Sequence, residues 1–172
     1  MTRPASKARN AMKLGVEIKR DLVGESFKFT ELFGGFERVA AVKKLFGRGS
    51  LRVLRETTVH IVHKEGYLRV DNDNGDILVC EPYLRTADER HLYLDVIHEL
   101  VHVRQHMAGR ELYDRTYSYV DRPTEVEAYS VAVAEARRIG MSDTEIADYL
   151  RVEWVSGVDF RRMLSTLGVS SY

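Results

Sequence analysis

The sequence is short of several features that would assign a function class at once. It has one cysteine among 172 residues, Cys80, so no internal disulfide can form and a reducing cytoplasm suits the chain. That thiol reads as a small buried strand residue. No apolar run approaches the ~18–20 residues of a membrane span, and no apolar stretch follows the basic N-terminus as a secretory leader would require. Net charge is also missing: 26 Lys and Arg balance 26 Asp and Glu, so the whole molecule is no electrostatic match for nucleic acid. Internal repeats and low-complexity linkers are absent. The expectation is a soluble, cytoplasmic protein with no membrane partner and no nucleic-acid partner.

Charge is uneven in one place. Arg3, Lys7, Arg9, Lys13, Lys19 and Arg20 face only Glu17 within residues 1–20. Such a segment is most often a solvated or frayed terminus, and contact with a phosphate backbone or an acidic partner is the alternative. Apolar content of 44% and charged content of 30% are those of an ordinary globular chain able to bury a core. One domain over residues 1–172 is expected, with helices and a sheet in 1–86 and further helices in 87–172.

Phe36, Val39, Ala40, Val42, Leu45 and Phe46 suggest a short helix that Gly47-Arg48-Gly49 ends. From Leu51 to Glu81 the chain reads as strands, with β-branched residues at Thr57–Val62, alternation at Tyr67–Val70 and an apolar run at Ile77–Cys80. Asn74-Gly75 between the last two predicts a hairpin. The acidic Asp71–Asp76 loop is no EF-hand: aligning Gly75 with the template's glycine puts Val70 where an aspartate ligand is required. His60 and His63, three apart in a strand region, point to opposite faces and cannot easily share a metal. Both read as structural or solvent-facing.

The strongest signal is His98-Glu99-Leu100-Val101-His102. Two imidazoles four apart lie on one face of a helix and can hold two corners of one metal ion. Glu99 stands beside that metal, where it can take a proton from water. This is the pattern of zinc-dependent hydrolysis. Thr86 and Glu89 form a capping box at the start of the helix, and Gly109 is its natural stop. Downstream, Pro123 opens a helix over Glu125–Ile139 with Asp121 or Thr124 as cap. Ser142 and Glu145 cap a third helix through Leu150, and Val158–Leu167 form a last one.

Two histidines need a third protein ligand and an open position for water. His106 continues the same face but lies roughly 12 Å along the axis from His98, too far to share the ion. Glu125 and Glu127, opening the next long helix, are the candidates. The His98–His102 motif followed by Glu125-Val126-Glu127-Ala128 resembles the gluzincin zinc peptidases, a group that includes minigluzincins and ImmA/IrrE-type regulatory peptidases. The likeness covers roughly residues 87–135. It implies an α+β, zincin-like fold in which a small antiparallel or mixed sheet precedes an active-site helix and a C-terminal helical subdomain. In that family the third ligand stands in E-x-x-A-[D/N], which maps to Glu125, with Glu127 its rival. Tyr129 departs from the pattern's last position, where a polar residue supports a ligand, and Arg104 departs from a usually apolar one.

The resemblance implies Zn²⁺ held by His98, His102 and Glu125, Glu99 as general base, and a peptide or protein substrate. Tyr117, Tyr119, His106 and Arg104 are the polar groups available to stabilise an oxyanion. Ile77–Cys80 is the edge strand expected to pair with an extended substrate. The alternative is a zinc-stabilised binding module without hydrolytic activity. Trp154 reads as a core or helix-contact residue, and the C-terminal third as packing behind the zinc helices.

Overall fold

A computed structural model describes residues 14–170. Arg3, Lys7, Arg9 and Lys13 of the basic segment lie outside these residues, whereas Arg20 donates to the carbonyls of Leu84 (3.2 Å) and Ala87 (2.8 Å). The described chain is α+β. It opens with β1 (Glu17–Ile18), β2 (Ser26–Lys28), α1 (Phe29–Leu32), β3 (Phe33–Gly34), α2 (Ala40–Phe46) and α3 (Ser50–Glu56). The sheet continues with β4 (Thr58–Val62), β5 (Leu68–Val70) and β6 (Ile77–Cys80). Helices complete the fold: α4 (Glu81–Thr86), α5 (Glu89–Met107), α6 (Pro123–Arg138), α7 (Asp143–Leu150) and α8 (Gly157–Thr166). None of the described helices is long and apolar enough to cross a membrane.

Four strands form a mixed sheet in the order β2-β4-β6-β5, and β1 pairs with β3 in a separate two-stranded ribbon. The hairpin expected at Asn74-Gly75 forms, but through a six-residue connection and not a two-residue Asn-Gly turn, because Asn74 does not take the positive φ such a turn requires. Leu68 to Val70 run antiparallel to Ile77 to Val79, and Gly75 takes φ +80°, a conformation that costs a residue without Cβ little. β6 also pairs in parallel with β4. Ile77–Cys80 is therefore an interior strand and not the expected edge. The edge beside it is β5, because the hairpin folds β5 outward while β6 takes the place next to β4.

Three further expectations change. Leu51–Glu56 belongs to α3, whose Val53 and Leu54 bury one helical face, so the strand region begins only at Thr58. The helix expected over 36–46 is split at Val39, which is extended (φ −67°, ψ 128°) between a 3₁₀ turn and α2. Thr86 does not cap α5, since its hydroxyl bonds back to the Pro82 carbonyl at 2.8 Å inside α4. Asp88 is the cap, accepting from the backbone amides of Arg90 and His91. On α6 neither expected cap side chain is free: Asp121 is held by Arg162 and Ser118, and Thr124 donates to the Leu112 carbonyl.

α5 lies at the centre of the molecule. Leu92, Tyr93, Leu94, Val96, Ile97, Leu100 and Val101 are buried on it, and it packs against α6, α2 and β5. Phe29, Phe33 and Phe36 form an aromatic cluster, with Phe36 edge-on to the other two, that reaches Tyr93. The Tyr93 hydroxyl donates to Glu135 of α6, whose carboxylate also receives two bonds from Arg138 (2.8 and 2.6 Å). This polar clamp ties the two long helices together.

Candidate metal centre

His98 and His102 follow one another by a turn on the inner face of α5, and Glu125 enters from the first turn of α6. All three are buried. Nε2 of His98 lies 3.0 Å from Nε2 of His102, and Oε2 of Glu125 lies 3.2 and 3.5 Å from them. For ligands ~2.0–2.1 Å from a tetrahedral ion, neighbouring donor atoms are separated by roughly 3.3 Å. The three spacings bracket that value, so the donor set fits one small cation.

Hydrogen bonding fixes the state of one ring. Gln105 Nε2 donates to the Thr124 carbonyl (3.0 Å) and to Glu127 (2.9 Å), both acceptors. Its Oε1 must then be the atom facing His102 Nδ1 at 2.7 Å. Nδ1 therefore carries the hydrogen, and in the neutral ring Nε2 presents its lone pair to the centre. His98 Nδ1 has no hydrogen-bond partner, and the Tyr129 ring packs against that imidazole with centroids 4.2 Å apart. Tyr129 thus supports His98 by ring contact in the place of a polar bond, and its hydroxyl pairs with Tyr119 at 2.6 Å.

Burial and the neighbouring charges together set the protonation of this cluster. Burial works against ionised Glu125, yet the two imidazoles outweigh it and hold the carboxyl well below the usual range. Burial lowers His98. It also opposes a proton on His102, but Glu125 and Glu99 prevail and push that ring up to about 9. Glu99 is raised to about 8 by burial, and its Oε2 has no partner. Glu125 Oε2 likewise completes no hydrogen bond. Buried acceptors left unpaired are costly, and a cation between them would relieve that cost.

Glu127 is occupied elsewhere, in ion pairs with Arg104 and Arg110 and in the bond from Gln105. Of the four oxyanion candidates only Tyr119 lines the cleft that opens on the triad. Arg104 faces Glu127, His106 lies against the Gly75 turn, and Tyr117 is exposed. His60 and His63 engage separate carboxylates, Asp76 and Glu81. Two residues that sequence reasoning passed over face the triad instead. Arg122, 3.7 Å from Glu125 Oε1, is held by the Asp114 carbonyl, and Tyr113 donates to the Val70 carbonyl.

The cleft has a volume of about 520 Å³ and runs from the triad along α5 to Asp95, Tyr67, Tyr83, Tyr149 and Trp154. Trp154 is 55% exposed, with its ring edge-on to Tyr67 and Tyr119. It is a wall of the cleft and not a core residue, and residues 148–154 close that side instead of packing behind the metal helices. The C-terminal segment turns back here because the Arg162 guanidinium is held by Asp121, just ahead of α6. One sequence signal for the cleft was present. Asp95, His98, Glu99 and His102 recur at three- and four-residue spacing, a polar stripe on the otherwise apolar Leu92–Val103 stretch of α5. No protein-family model matches the chain, and neither a curated protein nor a solved structure matches it.

Proposed function

We propose that the protein is a zinc-dependent peptidase of the gluzincin kind, with His98, His102 and Glu125 as the metal ligands. The observation that carries this reading is the spacing of three buried donor atoms, two imidazole and one carboxylate, beside a second carboxylate, Glu99, whose Oε2 is unpaired and which lines the same cleft. Three protein donors leave a coordination position open, as a catalytic centre needs, whereas a structural site closes with four. The fold agrees: a mixed sheet precedes the helix that bears the motif, and helices follow it, the order expected of a zincin.

A zinc ion at this site would supply the Lewis acid for an attacking water and the scissile carbonyl. Glu99 is the group that moves protons. Its Oε2, buried and unpaired beside the three donor atoms, is placed to accept a proton from water and return it to the leaving amine, and the charge of a bound zinc would favour the ionised carboxylate that burial alone disfavours. Gln105 keeps His102 in the tautomer that binds through Nε2. Arg122 and the Tyr119–Tyr129 hydroxyl pair line the cleft close enough to the triad to meet negative charge on the carbonyl oxygen. An extended peptide would lie beside β5, the strand at the sheet edge that also walls the cleft.

Metal content comes first. Purified wild type should hold about one zinc per chain, and His102→Ala should hold none. The enzyme reading then turns on Glu99→Gln. That variant should keep the zinc and the fold and lose ~10²–10⁴-fold of peptide hydrolysis. Zinc retained with hydrolysis unchanged, or never detected, would favour the zinc-stabilised binding module.

A further inference from the structure

Asp95 is unexplained by the metal chemistry. It stands one turn before Glu99 and three residues before His98, so its carboxyl enters the same cleft roughly 4.5–6 Å further along the helix axis. Tyr83 donates its hydroxyl to it, and the hydroxyl of Tyr149, which completes no well-formed bond of its own, stands toward the same carboxylate. Among the described residues no Lys, Arg or His forms an ion pair with Asp95. Of the cations that share the cleft wall, Arg122 is engaged by Glu125 and the Asp114 carbonyl, Arg151 lies over the Phe160 ring at 4.4 Å, and His91 packs edge-on to Tyr149; Arg69, on β5, also lines the cleft without an ion pair to Asp95.

The carboxyl is therefore a half-buried negative charge that phenols meet and no ion pair neutralises. Burial pushes it up to about 6, which leaves it mostly ionised at neutral pH. Around it stand aromatic rings. Tyr67 and Tyr83 meet at 4.8 Å between centroids, and Tyr67 and Trp154 at 5.5 Å. A carboxylate at the back of an aromatic-walled recess is complementary to an organic cation, whose charge the carboxylate meets and whose flat or methylene surface the rings cover. A guanidinium suits such walls better than an ammonium because it is planar and weakly hydrated.

We infer that Asp95, with Tyr67, Tyr83 and Trp154, forms a subsite for an arginine side chain of the bound peptide. Residues of an extended chain advance about 3.3 Å each, so the arginine is read within two residues of the cleaved bond. This assignment of substrate class rests on the peptidase reading; the subsite itself does not need the metal.

The chain contains a single tryptophan, Trp154, and it lies on the wall of this recess, so its emission reports occupancy directly. Metal-free protein in chelator would be titrated with a blocked Ala-Arg-Ala peptide amide and with its citrulline counterpart, which keeps shape and loses charge. The arginine peptide should change the emission saturably and bind at least about tenfold tighter. Asp95→Asn should erase that margin. Equal binding of the two peptides to wild type would overturn the subsite, and so would an Asp95→Asn protein that keeps the margin. Should the variant not fold, the wild-type pair of ligands decides alone. Hydrolysis of the same peptides by zinc-loaded protein separates the two readings. An arginine margin without cleavage at any zinc level keeps the subsite and sinks the peptidase. Cleavage without a margin does the reverse.

Discussion

Glu125 and Glu135 stand on the same helix, equally buried at 5% and 4% exposure, and have opposite surroundings. Glu135 is saturated: the Tyr93 hydroxyl and two Arg138 nitrogens satisfy its oxygens. Glu125 faces two imidazoles and an ionisable neighbour in Glu99, and its Oε2 completes no hydrogen bond. Burial alone therefore does not mark a functional carboxylate. The first is a joint between α5 and α6 that needs nothing more, and the second is an acceptor held open. The two should respond oppositely to mutation and to metal.

The largest effect should come from Glu125→Ala, which removes one of three ligands and should weaken zinc binding by on the order of 10²–10³-fold. Metal titration against a competing chelator measures it. If affinity stays within a few-fold of wild type, Glu125 is no ligand and the contrast with Glu135 fails. Glu135→Ala should act on the fold instead. With the Tyr93 hydroxyl unpaired, about 2–3 kcal/mol of unfolding free energy should be lost, read by urea denaturation, while zinc affinity in the folded fraction stays unchanged. Gln105→Ala sharpens the comparison from a third side. Freed from its acceptor, His102 should lose about 10–100-fold in zinc affinity, and the groups Gln105 leaves unpaired should cost about 1–3 kcal/mol of stability.

The smallest effect is a pH trend in metal-free protein. Glu99, raised to about 8 from its ordinary 4.5, is protonated in the folded state over a range where the unfolded chain is not, so stability falls as pH climbs from about 4.5 to 8. His102, raised to about 9 from 6.5, contributes stability that is complete below about 6.5 and gone above 9. Both shifts have the same sign. The urea midpoint of metal-free protein should decline between pH 6.5 and 9. Glu99→Gln should flatten part of the decline, and a midpoint that rises over this window would contradict both assignments.

Much of the arrangement around His98 and His102 could be read from the sequence because helices report locally. Spacing alone puts two imidazoles on one face, and a helix opened by Pro123 carries a glutamate near its start. The same spacing logic could have reached Gln105 and Asp95, three residues from His102 and His98, but neither was picked out. What spacing could not supply was which strand forms the sheet edge. Ile77–Cys80 has the apolar run and the position just before the helices, but its pairing with β4 is decided by chain crossover, not by local pattern. Tyr119, Arg122, Tyr129 and Trp154 were equally out of reach as a group. Each is unremarkable in its own segment, and the wall they share exists only once α6 and the C-terminal turn are docked. Thr86 shows the converse error, a capping pattern whose hydroxyl was claimed by a nearer carbonyl.

The hairpin has a kinetic consequence. β5 and β6 are joined by a six-residue turn that closes on itself through Asp71, Gly75 and Asp76, so their pairing is local and should form on the ~1–10 μs scale of isolated hairpins. Pairing of β6 with β4, and of β4 with β2 thirty-four residues earlier at Ser26 and His60, spans longer loops and comes later. β6 must therefore slot against β4 with β5 already attached. The strand that walls the cleft thus belongs to the most local pairing of the four-stranded sheet, and its place there depends on β6 docking against β4.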